Sequence, residues 1–279
     1  MPTLPLTDDL AINYECWGDP EAPAVVLLHG FTSDLRMWAP HVDALSEDYR
    51  VVAMDLRGHG RSSSPPKIET YTMETYAADV RALLDTLEVD VCGLIGCSFG
   101  GMVALQFAVT WPEKVAALVI SDSSAAHDSD RYDDAFRERE RGLAAMGELV
   151  ARFGTAELGK REAAKISDSF LAEGLRKRYA SMTDEGFLGA IHARQARADL
   201  IPVLAEKLTM PLLICAGEND PVRIGAEVIA AEVPSAAYVM FRGAGHAVPV
   251  NRAAQWRDAV LGFLGDVEDA NVRSGKHVI

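Results

Sequence analysis

Short, strongly apolar segments recur along this chain and alternate with stretches of helical periodicity. The six segments that most resemble strands are residues 24–28, 50–54, 91–95, 115–120, 211–215 and 236–241. Such runs are typical of parallel strands that helices cover on both faces. Between the second and third runs, apolar residues from Met73 to Leu87 fall at three- and four-residue spacing, as one face of a helix requires. The pattern predicts an α/β fold with a mostly parallel, doubly wound sheet, and residues 10–17 as an antiparallel edge strand.

The strand pattern is interrupted between residues 124 and 200, where the sequence is charged and helical. An amphipathic stripe in this stretch comprises Tyr132, Phe136, Leu143, Met146, Leu149 and Val150. Gly174 and Gly186 suggest breaks between short helices. We therefore predict a core formed by residues 1–123 and 201–279, with a helical cap, or lid, inserted at 124–200. Residues 266–279 are predicted to be a loose tail.

If the insertion covers a pocket, its apolar and histidine side chains supply the covering face. The candidates for that face are His127, Met146, Phe170, Met182, Phe187 and His192. The cationic run Arg176, Lys177 and Arg178 is predicted instead to be a solvated helix face.

Charge and composition exclude several classes of partner. The 279 residues include 27 Lys and Arg against 41 Asp and Glu, a formal net charge of −14. An anionic protein repels nucleic-acid phosphates and acidic membrane surfaces, and no apolar run approaches the roughly 18–20 residues that span a bilayer. The four cysteines have no zinc-binding spacing, and the N-terminus does not resemble a signal peptide. We expect a cytoplasmic protein with no nucleic-acid, membrane or metal partner, and a homodimer stays open.

The most specific motif is Gly96-Cys97-Ser98-Phe99-Gly100, a G-x-S-x-G sequence. It follows the apolar run that ends at Ile95 and precedes a helix-like segment. A serine on a sharp strand-to-helix turn takes strained backbone angles, and flanking glycines remove the side chains that would clash. The following helix N-terminus favours negative charge near the serine. Ser98 is therefore the candidate nucleophile.

A serine nucleophile needs a general base, and the base needs a carboxylate that orients it. Asp220 follows the apolar run at 211–215, and His246 lies in a glycine-containing loop after the run at 236–241. The chain order Ser98, Asp220, His246 is the order expected for a hydrolase with a G-x-S-x-G turn. We interpret Asp220 as the orienting acid and His246 as the base.

An oxyanion site requires two hydrogen-bond donors near the nucleophile. His29, Gly30 and Phe31 follow the first long apolar run, and Phe99 directly follows Ser98. The backbone N–H groups of Phe31 and Phe99 are the predicted donors, because a rigid backbone fixes them before charge develops. His29 is interpreted as a structural residue of this loop.

These motifs together resemble the α/β-hydrolase superfamily, in the branch that carries a helical cap. The matching stretches are residues 29–31, 55–62, 96–101, 217–221 and 243–246. The resemblance covers nearly the whole chain and implies the α/β-hydrolase fold with a serine catalytic triad. Haloalkane dehalogenases and epoxide hydrolases are similar to this chain but use aspartate where it has Ser98. Serine carboxylesterases, enol-lactonases and C–C bond hydrolases keep the serine.

The expected activity is that of a carboxylesterase-like serine hydrolase. It would cleave a small-molecule carboxylic ester or lactone through an acyl-enzyme on Ser98, without metal or organic cofactor. One alternative is hydrolysis of a C–C bond in a ring-fission product, a vinylogous diketo acid. Another is a lyase like the menaquinone-pathway synthase, which has arginine where this chain has Met102. A hydrolase fold retained as a small-molecule receptor is a third.

Overall fold

The computed structural model describes residues 3–7 and 10–273, in which eight strands form one sheet. The strands are β1 Thr3–Thr7, β2 Leu10–Trp17, β3 Ala24–Leu28, β4 Arg50–Met54, β5 Cys92–Cys97, β6 Val115–Ser121, β7 Leu212–Gly217 and β8 Ala237–Phe241. Their order across the sheet is β1-β2-β4-β3-β5-β6-β7-β8. The β1–β2 and β2–β4 pairs are antiparallel and the others are parallel. The predicted mostly parallel sheet is confirmed.

The prediction that residues 10–17 form an edge strand was wrong in one respect. This strand, β2, is antiparallel as expected, but β1 pairs with its outer side. The sequence of β1 contains Pro5, which argues against a strand in the interior of a sheet. An edge strand tolerates proline because one row of its backbone groups needs no partner, so β1 takes the edge position instead.

Helices cover both faces of the sheet. They are α1 Ala39–Leu45, α2 Met73–Thr86, α3 Phe99–Thr110, α4 Asp134–Phe153, α5 Thr155–Ala163, α6 Ser169–Ala180, α7 Asp184–Ala196, α8 Leu204–Lys207, α9 Arg223–Glu232, α10 Val248–Asn251 and α11 Ala253–Arg273. In β3, Val25 and Leu27 join the apolar cluster beneath α1 and α11, whereas Val26 and Leu28 join the one beneath α2, α3 and α9. This alternation confirms that the sheet is doubly wound.

In the stretch predicted as an insertion, residues 124–200, the regular secondary structure consists of helices. Helices α4 to α7 lie between β6 and β7, and the described residues include no strand there. Asp133 caps the start of α4 by accepting a hydrogen bond from the N–H of Phe136 at 2.8 Å. The division of the chain into a core and a cap at residues 124–200 stays a prediction.

The two glycines predicted to break these helices do not do so. Gly174 lies inside α6 and Gly186 lies inside α7. A Cβ atom on Gly186 would overlap the backbone of Gly58, so a close approach of two chain segments explains this glycine. The first break falls at Gly154, whose φ of +81° ends α4. Glycine there tolerates the left-handed backbone that other residues disfavour.

The predicted loose tail is wrong for residues 266–273. Helix α11 continues to Arg273, and Val267 is buried in the apolar cluster on its side of the sheet. Residues 274–279 lie outside the described residues. Neither α11 nor any other helix in the described ranges combines the length and the apolar character of a bilayer-spanning segment.

Candidate active site

Ser98 lies on the turn between β5 and α3, with φ of 53° and ψ of −111°. This conformation is strained for a residue with a side chain. The neighbouring glycines make the turn sterically feasible. A Cβ atom on Gly96 would overlap the carbonyl of Gly100, and one on Gly100 would overlap the carbonyl of Leu28. The turn holds Ser98 at the C-terminal edge of the sheet, where the residue is 5 % exposed.

Asp220 and His246 reach the same edge of the sheet from loops after β7 and β8. Nε2 of His246 lies 2.9 Å from Oγ of Ser98, and Nδ1 lies 2.9 Å from Oδ2 of Asp220. An ionised carboxylate only accepts hydrogen bonds, so Nδ1 carries the ring proton. Nε2 then has the lone pair that can accept the hydroxyl proton of Ser98. The structure brings all three predicted residues into hydrogen-bond contact.

The electrostatics of this chain favour a neutral imidazole beside an ionised carboxylate. Burial is the largest influence on His246 and lowers its pKa, and the charges of Arg139 and Arg194 lower it further against the effect of Asp220. Burial opposes the ionisation of Asp220. The hydrogen bond and charge of His246 outweigh burial and hold the pKa of Asp220 below its ordinary value. His246 is thus ready to accept a proton near neutral pH.

A second buried carboxyl, Asp122, stands beside Asp220. Its Oδ1 accepts from the N–H of Gly217 at 3.1 Å and its Oδ2 from the N–H of Val248 at 2.7 Å. Burial and the nearby charge of Asp220 raise the pKa of Asp122 well above its ordinary value. Asp122 therefore ties together the two loops that carry Asp220 and His246.

The same three groups, Asp122, Asp220 and His246, offer possible metal-ligand atoms within 4.8 Å of one another. Their hydrogen bonds describe a different kind of site. Both oxygens of Asp122 accept backbone protons, and Oδ2 of Asp220 accepts the Nδ1 proton of His246. The carboxylates are thus held by protein N–H donors, and Nδ1 of His246, which carries the proton that it donates to Asp220, has no free lone pair. The set fits a hydrogen-bonded acid–base arrangement.

The predicted oxyanion loop, residues 29–31, borders Ser98. A Cβ atom on Gly30 would lie 3.5 Å from the Cβ of Ser98. Within the described residues, the N–H groups of Phe31 and Phe99 donate to no protein acceptor. His29 supports this loop: its Nε2 accepts from the N–H of Leu56 at 3.0 Å, so its Nδ1 donates to the Gly30 carbonyl at 2.8 Å. Burial lowers the pKa of His29 to about 4, consistent with a neutral structural role.

Arg178 is exposed, as predicted for the run 176–178, and its guanidinium also contacts the predicted oxyanion loop. Its Nε donates to the carbonyl of Thr32 at 2.7 Å and its Nη2 to the carbonyl of Phe31 at 2.9 Å. Arg176, by contrast, pairs with Glu173 on the exposed side of α6. Two cations on one turn of α6 therefore differ in their contacts: Arg176 pairs with a surface carboxylate, and Arg178 holds two carbonyls of the loop beside Ser98.

Arg139 on α4 is the site residue that sequence reasoning missed. Its Nη2 lies 3.1 Å from Nε2 of His246. The residue stands three positions after Phe136 and four before Leu143, so it falls in the apolar stripe of α4. A charged residue inside an apolar stripe was the available signal, but the alternation of Arg and Glu at 137–141 made the segment resemble a solvated face.

Arg139 belongs to a cluster of three cations near the buried carboxylate of Glu140. Arg194 is buried in it, whereas Arg139 and Arg197 are half-buried. Arg194, 1 % exposed, pairs with both Glu140 oxygens, through Nη2 and through Nε at 3.2 Å. Burial opposes ionisation of Glu140, but His127 and Arg194 outweigh it and lower its pKa to about 2. Burial lowers the pKa of Arg197 to about 9. The cluster keeps an excess of positive charge beside the triad.

The predicted cap-face residues divide into two groups. Phe187 is fully buried and its ring lies 4.9 Å from that of Phe31, beside the oxyanion loop. Met182 is buried in the apolar cluster of the same helices, and His127 lies 3.3 Å from Glu140. Phe170 is 84 % exposed, so its prediction as a pocket-facing residue was wrong.

Comparisons with known proteins agree with this architecture. The sequence signature of the alpha/beta hydrolase fold family matches residues 23–253. A 3-oxoadipate enol-lactonase of Acinetobacter baylyi is 30% identical over 223 residues, which cover 78% of this chain and 79% of that protein. The crystal structure of the enol-lactonase from Burkholderia xenovorans aligns with a TM-score of 0.81 and 25% identity, over 95% of this chain and 100% of that one.

A thermophilic esterase from Thermogutta terrifontis is also similar. It aligns with a TM-score of 0.79 and 26% identity, covering 95% of this chain and 97% of that one. The matched residues 23–253 include strands β3 to β8, the serine turn and the loops after β7 and β8. This chain belongs to the alpha/beta hydrolase fold family.

Proposed function

We propose that this protein is a serine hydrolase that cleaves small carboxylic esters or lactones through an acyl-enzyme on Ser98. The contact between Oγ of Ser98 and Nε2 of His246, with Asp220 on the opposite ring nitrogen, carries the proposal. The similarity to an enol-lactonase and an esterase supports the same class of reaction. We further propose that residues 124–200 act as a lid that shapes the pocket.

In the first half-reaction, Oγ of Ser98 attacks the carbonyl carbon while His246 accepts the hydroxyl proton. The N–H groups of Phe31 and Phe99 donate to the oxyanion of the tetrahedral intermediate. Asp220 holds the imidazole in its tautomer and stabilises the imidazolium. His246 then donates its proton to the leaving alkoxide, and the acyl group stays on Ser98.

In the second half-reaction, His246 accepts a proton from water as the water attacks the acyl-enzyme. The oxyanion forms again at the same two N–H groups. Collapse of the intermediate returns the proton from His246 to Oγ of Ser98 and releases the carboxylic acid. In a lactone the leaving alkoxide remains attached to the acyl chain, so one product carries both groups.

The proposal is tested by hydrolysis of p-nitrophenyl esters from acetate to decanoate, with wild type and Ser98→Ala in parallel. We expect kcat/KM to vary with chain length and to fall by about 10⁴-fold or more in Ser98→Ala. Ser123→Ala is a matched serine control, because Oγ of Ser123 donates to the carbonyl of Ser98 and does not contact His246. Equal rates for wild type and Ser98→Ala would contradict the proposal.

The same variants separate the alternative reactions. A C–C bond hydrolase would consume a coloured vinylogous diketo acid faster than any ester, which absorbance reports directly. A lyase of the menaquinone-pathway type would eliminate pyruvate instead. A receptor would bind a small molecule without turnover by either wild type or variant.

A further inference from the structure

Arg139 and Ser98 both approach the same nitrogen of the proposed base. Nε2 of His246 lies 2.9 Å from Oγ of Ser98 and 3.1 Å from Nη2 of Arg139. In the tautomer fixed by Asp220, Nε2 has one lone pair, and a guanidinium can only donate. The arginine and the serine therefore compete for one acceptor. This contact weakens the base that the proposed mechanism requires.

The charge of Arg139 is only weakly matched, by a long ion pair with Glu140. Its Nη1 lies 3.8 Å from Oε1 of Glu140, beyond hydrogen-bond distance, and this buried nitrogen donates to no acceptor among the described residues. Both oxygens of the Glu140 carboxylate already accept hydrogen bonds from Arg194, one from Nε and one from Nη2, and His127 lies nearby. Burial, followed by the charge of Arg194, lowers the pKa of Arg139 to about 10, which still leaves it charged at neutral pH. A half-buried guanidinium that has one unsatisfied buried N–H group and only a distant carboxylate for its charge favours a further anionic partner.

We propose that Arg139 binds a carboxylate of the substrate, so that the substrates are esters or lactones that carry a free carboxylate. The inference rests on the proposed function and names its substrate class. A guanidinium presents two parallel N–H donors that match the two oxygens of a carboxylate. Arg139 lies within two hydrogen-bond lengths of Oγ of Ser98, through His246. The spacer between the carboxylate and the scissile carbonyl is therefore a few carbon atoms.

The bound carboxylate also frees the base. When Arg139 donates to the substrate, Nε2 of His246 accepts only from the hydroxyl of Ser98. The carboxylate neutralises a positive charge next to the imidazole, which makes the imidazolium of the transition state easier to form. A neutral ester offers no carboxylate, so Arg139 continues to donate to Nε2 of His246. Arg139 thus selects acidic substrates by attraction and disfavours neutral ones by occupying the base.

The test compares p-nitrophenyl hydrogen succinate and glutarate with the neutral p-nitrophenyl butyrate and pentanoate. Wild type is expected to prefer the acidic esters by at least about 10-fold in kcat/KM. Arg139→Met, which keeps an unbranched apolar stem but removes the guanidinium and its charge, is expected to lose about 100-fold in kcat/KM on the acidic esters. Its rate on neutral esters is expected to rise several-fold. Arg139→Lys keeps the charge but lacks the two parallel N–H donors, so its kcat/KM on the acidic esters is expected to lie between those of wild type and Arg139→Met.

Arg141→Met is the matched control, because Arg141 lies on the exposed side of the same helix and pairs with Glu138. Its ratio of acidic to neutral ester rates is expected to equal that of wild type. Equal losses on both kinds of ester in Arg139→Met would overturn the proposal, as would wild type without preference for acidic esters.

Binding separates this inference from the proposed reaction. Calorimetric titration with succinate or glutarate dianion needs no turnover, and Ser98→Ala is expected to bind as wild type does. Arg139→Met is expected to weaken binding by about 10-fold or more. Binding that depends on Arg139 without any ester turnover would support the carboxylate site and contradict the esterase. Ester turnover together with dianion binding that is equally strong in wild type and Arg139→Met would support the esterase and contradict the carboxylate site.

Discussion

Oδ2 of Asp122 accepts a hydrogen bond of 2.7 Å from the N–H of Val248, two residues after His246. Its other oxygen accepts from Gly217, where the loop that carries Asp220 begins. One buried side chain after β6 therefore fixes the relative positions of the loops after β7 and β8. The distance between Nδ1 of His246 and Oδ2 of Asp220 depends on a residue outside the triad.

Replacing Asp122 with Ala is expected to lower the free energy of unfolding by about 1–3 kcal/mol, because two buried N–H groups lose their acceptors. The kcat for esters is expected to fall as well, since both loops lose their common support. Urea denaturation at pH 7 and ester kinetics measure the two effects. Asp90→Ala is the control, because that side chain is exposed and its pair with Lys114 is 3.5 Å long. A variant of Asp122 as stable as this control would contradict the account.

Two glycine replacements are expected to act in opposite directions. Gly100→Ala would force a Cβ atom into the Leu28 carbonyl, so we expect a loss of about 3 kcal/mol or more of folding free energy and of activity. Gly142→Ala meets no atom within 4 Å and lies inside α4, so we expect a gain of about 0.5–1 kcal/mol. Thermal unfolding measures both changes. Similar stabilities in the two variants would contradict the close packing of Gly100 against Leu28 at the serine turn.

The pH profile of kcat/KM for a neutral ester reports the ionisation of His246 in the free enzyme. The base acts when it is neutral, so kcat/KM rises as pH rises through its pKa. Burial, with Arg139 and Arg194 adding to it against Asp220, lowers this pKa from 6.5. We expect the midpoint of the acidic limb below pH 6.5, and in Arg139→Met a shift upward. A wild-type midpoint at or above pH 6.5 would contradict the assignment.

Arg178→Met is expected to lower kcat by about 10-fold on acidic and neutral esters alike. Arg178 holds the carbonyls of Phe31 and Thr32, and the loop that loses it positions the oxyanion donor less well. Arg176→Met, on the exposed side of the same helix, is the control. The equal effect on both substrates distinguishes Arg178 from Arg139, and a change confined to acidic esters would contradict the role given to Arg178.

The strands and the meeting of Ser98, Asp220 and His246 could be predicted because their signals are local. A continuous apolar run, such as residues 24–28, is enough to indicate a buried parallel strand, and six of the eight strands were predicted in this way. Ser98, Asp220 and His246 each follow such a run. The carboxyl ends of parallel strands share one edge of the sheet, so the three residues had to meet there.

The features that were missed depend on contacts between segments distant in the sequence. Gly186 resembles a helix breaker in the sequence, but in the structure it allows α7 to pack closely against the backbone of Gly58. Arg139 resembles one more member of a charged run in the sequence, but in the structure its guanidinium contacts His246. Arg178 belongs to a cationic run that was predicted to be solvated, and it is exposed, but nothing in that run indicates its contacts with the carbonyls of Phe31 and Thr32. In each case the decisive neighbour lies far along the chain, and no spacing within the helix reveals it.

The most direct test of the central claim is covalent labelling by an alkyl p-nitrophenyl phosphonate, which reacts with an activated serine and stays bound. We expect wild type to release one equivalent of p-nitrophenolate and to gain the mass of one phosphonyl group, located by peptide mapping on Ser98. His246→Ala is expected to react far more slowly, and Ser98→Ala not at all. A label on another residue, or equal labelling of Ser98→Ala and wild type, would contradict Ser98 as the nucleophile.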